Sequence, residues 1–240
     1  MHRSSFDKMQ AFREGYLDEH RHRPLVILDV GSAAVAGESG SYRPLFQTPG
    51  WTYLGLDCEA APNVDIVPED PYHWSELTDG SVDVAISGQA LEHIDQPWRT
   101  MGEIARVLRF GGLAMVIAPS AGPVHRFPLD CWRFYPDGMA ALARQAGLDV
   151  IETHWDTSYA YPENAFWGEA CAILQKPCPQ GERGVIGTLS DRQVIQARVL
   201  QQLRALQPWT VRRRLLRQTL LRARIILRCP LERLNRMELP

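Results

Sequence analysis

Twelve consecutive residues, His125-Arg126-Phe127-Pro128-Leu129-Asp130-Cys131-Trp132-Arg133-Phe134-Tyr135-Pro136, gather an imidazole, two guanidinium forks, a carboxylate and four aromatic rings. Histidine changes charge near neutral pH and can take the proton of a hydroxyl as its oxygen attacks an electrophile. Arg126 and Arg133 suit a carboxylate or phosphate, while Trp132, Phe134 and Tyr135 offer flat faces to a sugar or an aromatic ring. A second histidine, His93 of Leu91-Glu92-His93-Ile94, is another candidate base. The catalytic candidates are therefore His125, His93 and Arg133. An architectural reading stands beside each: His93 bracing the helix that follows, and Asp130 pairing with one arginine while the aromatics pack beneath the loop.

A second set of residues is acidic or small. Asp29-Val-Gly31-Ser32-Ala33-Ala34-Val35-Ala-Gly37 directly follows an apolar run, where a doubly wound sheet puts its nucleotide-binding turn. Gly31 would let the backbone approach a ligand, and Asp29 can fix the turn or accept from a cationic amine. Asp57, 28 residues after Asp29, ends the next apolar segment, where a carboxylate can accept both hydroxyls of a ribose. Ser87, Gly88 and Gln89 would together form a floor, Gly88 permitting a ligand to approach closely. A tight strand-to-helix turn and an exposed loop aspartate are the plain alternatives for Gly31 and Asp57.

These residues need elements to hold them. Phe6, Met9, Phe12, Tyr16 and Leu17 fall at helical spacing, so a helix is expected over 5–21. Strands are expected at 25–30, 53–56, 64–67, 82–87 and 113–118, with a helix over 95–108 closed by the Gly111-Gly112 pair as a left-handed cap. Residues 120–136 read as an ordered loop over the site, 137–146 as a capped helix closed by Gly147, and 148–154 with 165–175 as an antiparallel hairpin.

The alternation resembles class I S-adenosylmethionine-dependent methyltransferases, in which a Glu-His-Ile/Val step and an Arg-Val-Leu-x-x-Gly-Gly turn recur. Here they stand as Glu92-His93-Ile94 and Arg106-Val-Leu-Arg-Phe-Gly111-Gly112. The resemblance implies an α/β, Rossmann-like, doubly wound and mostly parallel seven-stranded sheet with an antiparallel last strand. It implies S-adenosylmethionine as cofactor, held by Asp29, Gly31, Ser32, Asp57, Cys58, Asp70, Ser87, Gly88 and Gln89, with Asp70 at the adenine edge. The glycine turn departs from the family's pattern, because Ala33 and Val35 replace its second and third glycines. The 125–136 segment is similar to a pattern in a bacterial subgroup associated with glycans or related small molecules, which implies a small-molecule or glycan acceptor methylated on oxygen. A nicotinamide oxidoreductase fits less well, since no Tyr-x-x-x-Lys signature occurs. A methyltransferase-like scaffold without turnover, and an enzyme acting on a quinone or lipid at a membrane surface, are the remaining alternatives.

The composition is that of a soluble globular chain, 45% hydrophobic and 22% charged over 240 residues. Charge divides unevenly: 13 of the 26 basic residues, all Arg, lie from Gly181 onward with 4 acidic residues, leaving 13 basic against 24 acidic before it. The expected organisation is a methyltransferase domain over 1–178 and an Arg-rich helical extension over 179–240. Between Pro208 and Pro230 apolar residues recur every three to four positions among arginines, a pattern suited to an anionic membrane surface or to docking on the acidic body or a second copy. Nucleic acid is not an expected partner, because the body is acidic and carries no recognition motif. The five cysteines form no Cys-x-x-Cys pair and no His-x-x-x-His lies near them, so spacing suggests neither a metal site nor a disulfide framework. No apolar run has signal-peptide or membrane-spanning length, so a cytoplasmic location is expected, with peripheral contact at the inner membrane surface.

Overall fold

Strands buried on both faces read as nearly unbroken apolar runs, and two such runs, Val82–Gly88 and Leu108–Pro119, form the centre of the sheet. The computed structural model describes residues 2–34, 40–156 and 167–179. Its six strands are β1 (Leu25–Val30), β2 (Trp51–Leu56), β3 (Val82–Gly88), β4 (Leu108–Pro119), β5 (Asp149–Asp156) and β6 (Glu169–Gln175), in the spatial order β2-β1-β3-β4-β6-β5. The first four run parallel, and β6 lies antiparallel between β4 and β5.

Side chains alternate faces along each strand, so one strand feeds two cores. Leu28, Val30, Ala85, Ala114 and Val116 pack with Met101, Ile104 and Met139, residues of helices α2 (Pro97–Val107) and α3 (Pro136–Gln145). Ile27, Val84, Ile86, Met115 and Ile173 face the other way, onto Met9 and Phe12 of α1 (Arg3–Phe12). The α1 helix continues through a π turn at Arg13–Leu17 and a 3-10 turn at Asp18–His20, extending the expected helix with Tyr16 and Leu17 buried. Its C-terminal counterpart α3 ends in a Schellman motif: Leu148 N–H donates to Ala143 O, and Gly147, at φ +76°, donates to Arg144 O.

Three expectations are corrected. The strand expected at 64–67 contributes only a parallel bridge, Leu56 to Ile66. Asp65 turns its carboxylate back onto Gly55 N–H (2.8 Å), and Pro68 has no N–H to extend a ladder. Six strands therefore stand among the described residues where seven were expected. Helix α2 stops at Val107, so Gly111-Gly112 do not cap it; they lie within β4, where the register jumps between Val82–Leu108 and Val84–Leu113. The five residues 108–112 bulge opposite a two-residue step, and Gly111 takes φ +77° there. Asp137 lies in the first turn of α3 and does not cap it, Tyr135 being the N-cap and Pro136 the first residue. The extension expected over 179–240 lies outside the described residues beyond Pro179, as do Val35 and Gly37 of the glycine turn. Among the described residues no helix is long and apolar enough to cross a membrane.

Candidate cofactor crevice and acceptor loop

The chain leaves β1 for β2 on one side and reaches β3 on the other, so the sheet order reverses between β1 and β3. A crevice opens outside the carboxyl ends of strands at such a switch point. Asp29, at Cα register with Ile86, and Ser87 stand near the carboxyl ends of these two strands. Both are buried, and the Oδ1 of Asp29 and the Oγ of Ser87 have no hydrogen-bond partner among the described residues. Burial pushes the Asp29 carboxyl up to about 7, against the lowering effect of the hydrogen bond that Tyr53 Oη donates to its Oδ2. Orphaned acceptors at a crevice are what an adenosyl ligand bearing an ammonium group and hydroxyls would satisfy, so these residues fit the expected cofactor.

The turn after β1 is held from below. Gly31 and Ser32 both donate N–H groups to Leu56 O, at 2.9 and 3.1 Å. Asp57 stands just past β2; its Oδ2 accepts Ala33 N–H at 2.9 Å and its Oδ1 accepts Cys58 N–H at 2.8 Å. Each oxygen keeps a lone pair for a ribose hydroxyl. The two glycines work differently from expectation. A Cβ on Gly31, at φ +80°, would lie 2.3 Å from the Ala90 side chain, and one on Gly88 would lie 2.0 Å from Tyr42 Oη. Protein side chains fill the space that the missing Cβ atoms leave. Gln89, at φ +59°, donates its amide N–H groups to Ser5 Oγ and Glu169 Oε1, both at 2.9 Å, and so faces a buried network. In that network Lys8 Nζ lies 2.5 Å from Glu169 Oε2, both side chains at most 3% exposed. Burial raises the Glu169 carboxyl, but His2, Lys8 and Ser5 together bring it down to about 2. Cys58 is exposed, and so is Asp70, whose Oδ1 accepts Tyr72 N–H (2.7 Å) in a loop that Tyr72 Oη ties to Asp95.

Beyond β3 a 3-10 turn, Leu91–His93, brings the expected catalytic residues together. The rings of His93 and His125 meet edge to face, 4.9 Å between centroids, and Trp167 lies 4.7 Å from His125. His93 Nδ1 lies 2.6 Å from Leu129 O; a carbonyl only accepts, so in the neutral ring Nδ1 carries the proton and Nε2 the lone pair. Partial burial and the neighbouring His93 hold the His125 pKa below its usual value. Of the two readings of Arg133, the structure shows the pairing with Asp130. Its two terminal nitrogens grip Asp130 at 2.6 and 2.9 Å and reach Pro123 O at 2.7 Å, while Asp130 also accepts His125 N–H. It is a positioning residue. Phe134 is buried, whereas Phe127, Trp132 and Tyr135 are exposed.

Tyr53, Tyr42, Asn63 and Trp167 escaped the sequence reading because each acts across strands or loops distant in sequence, and no motif marks them. Glu92 had a signal, its place beside His93. It is 1% exposed, burial pushes its carboxyl up to about 8, and its carbonyl accepts Cys131 N–H (2.7 Å) and Trp132 N–H (3.3 Å) from the loop.

Comparison with known proteins agrees with this geometry. Residues 35–116 match the methyltransferase domain family. An uncharacterized methyltransferase of Mycobacterium ulcerans strain Agy99 is 31% identical over 174 residues, 64% of each chain. One from Mycolicibacterium gilvum strain PYR-GCK is 35% identical over 104 residues, so the match spans 39% of that relative's length and 39% of this chain. Among solved structures, a Burkholderia thailandensis 1,6-didemethyltoxoflavin N1-methyltransferase holding S-adenosylhomocysteine superposes with a TM-score of 0.53 at 17% identity, covering 73% of this chain and 80% of that one. The (4+2)-cyclase SpnF superposes at 0.55 and 16% identity, over 72% and 82% of the two chains. A cyclase on this fold means that the fold alone does not fix the reaction. Sheet order, crevice and sequence relatives agree: residues 35–116 match a methyltransferase domain, the fold is that of class I methyltransferases, and S-adenosylmethionine is the cofactor that these likenesses support.

Proposed function

We propose that this protein transfers a methyl group to an oxygen of a small-molecule or glycan acceptor. The observation that carries the reading is the His93–His125 ring pair, which joins the turn after β3 to the loop after β4: His93 Nδ1–H is committed to Leu129 O, so Nε2, 3.7 Å from Glu92 Oε1, is the ring atom that can take a hydroxyl's proton. Bound at the crevice, the cofactor supplies an electrophilic methyl on a sulfonium. Asp29 and Asp57 hold its polar ends, and positioning of the acceptor oxygen in line with the methyl carries much of the rate. The exposed faces of Trp132 and Tyr135 suit a sugar ring. Val124, Phe127 and Leu129, 70%, 58% and 47% exposed on the same loop, favour a second reading, a quinone or lipid acceptor. The test is transfer of labelled methyl from S-adenosylmethionine to panels of glycans, phenols and quinols. Product with any of them, lost in His125→Ala while S-adenosylhomocysteine still binds, supports the reading. Cofactor binding without turnover on any panel favours a scaffold.

A further inference from the structure

Glu92, His93 and His125 form a constellation that the cofactor crevice does not use. One donor atom from each lies within 4.8 Å of the others, and Glu92 Oε1 stands 3.7 Å from His93 Nε2. We propose that these three side chains bind a divalent zinc ion that receives the acceptor's oxygen.

Two features point to a cation, and a third holds its ligands together. Glu92 is buried, and its Oε2 has no hydrogen-bond partner among the described residues, an arrangement that costs free energy unless a hydrogen-bond donor or a cation meets it. His93 is held in the tautomer that a metal ligand needs. Its Nδ1–H donates to Leu129 O, which aims the Nε2 lone pair toward Glu92, as backbone carbonyls behind metal-bound imidazoles do. The loop is fastened to the turn that carries these residues: Glu92 O accepts from Cys131 and Trp132, and Asp130, itself gripped by Arg133, lies 3.6 Å from His125 Nδ1. With bonds of about 2.1 Å, ligand atoms of a tetrahedral zinc site lie roughly 3.4 Å apart. The Glu92–His93 separation is close to that, and His125, 43% exposed on the loop, has room to close the rest. Two histidines and a glutamate leave one coordination position open, which is the arrangement of catalytic rather than structural zinc.

This inference rests on the proposed site of the acceptor and refines the role of the two histidines. An acceptor hydroxyl in the open position would be acidified by the ion and lose its proton to solvent water. Its oxygen then forms the C–O bond as the methyl's bond to sulfur breaks, the electron pair remaining on sulfur as the thioether of S-adenosylhomocysteine. The imidazoles are then ligands and not bases. Spacing in the sequence could not show the site, because its residues come from two segments 32 positions apart.

The test uses the full, tag-free chain stripped with a chelator, then titrated with Zn2+ and with Co2+ as a visible-absorption probe. S-adenosylhomocysteine binding is measured by calorimetry on the same samples. The expected result is one cobalt ion per chain with the absorption of nitrogen and oxygen ligation, displaced by zinc. Affinity should fall about tenfold or more in Glu92→Gln and in His125→Ala. Either variant retaining S-adenosylhomocysteine binding shows that the fold is intact. Stoichiometric cobalt binding that both variants keep unchanged overturns the site, as does failure of the unmodified chain to bind either ion. Failure of S-adenosylhomocysteine to bind would count against the methyltransferase reading and leave the metal result standing by itself.

Discussion

The cofactor crevice and the acceptor loop are built by different means. In the crevice, backbone groups do most of the positioning: Gly31 and Ser32 hang from Leu56 O, Asp57 ties Ala33 to Cys58, and a buried Lys8–Glu169 pair with Gln89 holds α1 against β6 and the end of β3. In the loop, side chains hold side chains and a few carbonyls. Arg133 grips Asp130, Trp132 Nε1–H donates to Ile94 O, and His93 donates to Leu129 O, over a surface that exposes Val124 and Phe127. Fold topology dictates the first region, and it fits a ligand shared across a family. The second rests on a few side-chain contacts that substitution can rearrange without cost to the sheet, which is where acceptor choice can change.

The largest expected effect breaks the crevice's foundation. Replacing Lys8 by Met takes the ammonium from the buried Glu169 carboxylate, leaving it to His2, Ser5 and Gln89, and should cost about 3 kcal/mol; denaturant unfolding measures it, and a loss below about 1 kcal/mol would mean that the network does not brace the crevice. Next is Asp57→Ala, which on the proposed cofactor site would remove charge-assisted hydrogen bonds to a ribose, each of about 1.5–3 kcal/mol. Calorimetric affinity for S-adenosylhomocysteine should fall at least tenfold; unchanged affinity would remove Asp57 from the site. Asp29 then sharpens the comparison through pH. Its carboxyl, raised by burial from 3.8 to about 7, holds a proton in the folded protein across a window where the unfolded chain has lost it. This contribution to stability therefore falls as pH rises from about 4 to 7 and is level above. An ammonium-bearing ligand selects the ionised carboxylate, so affinity should rise with pH, up to tenfold per unit below about 7, and flatten above. The slope should be absent in Asp29→Asn, and a slope unchanged by that substitution would assign it elsewhere.

The sequence made the crevice more legible than the loop for a physical reason. Apolar runs buried on both faces, followed at once by Asp29-x-Gly31 or by Asp57, are local patterns, and local patterns fix where parallel strands end. The same logic failed where long-range geometry overruled local preference. Gly111-Gly112 looks like a helix cap, yet the register jump against β3 places it inside β4, and the apolar 64–67 run gives way to Asp65 folding back on Gly55. Asp130 with Arg133 was open to either reading, and three residues' separation was compatible with both. Tyr42 over Gly88, Tyr53 on Asp29 and Glu92 against His125 join segments that no motif connects, so side-chain placement alone reveals them.

The smallest effects should fall on the loop. Arg133→Lys keeps a cation but loses the planar fork that reaches both oxygens of Asp130 and Pro123 O together. Arg133 is about one-fifth exposed and Asp130 is nearly buried, so the pair contributes more than a surface bridge, yet the sheet does not depend on it. A stability loss of about 1 kcal/mol is expected, with S-adenosylhomocysteine affinity unchanged within about twofold. The change should appear in KM for the acceptor, since His125 N–H and Arg133 share the same carboxylate and the histidine loses its fixed place when the grip loosens. A split of that kind, acceptor KM raised while cofactor affinity holds, would establish that the two regions act separately. Equal losses in both would mean that the loop also shapes the crevice, and that the division between a family-wide cofactor end and a private acceptor end does not hold in this chain.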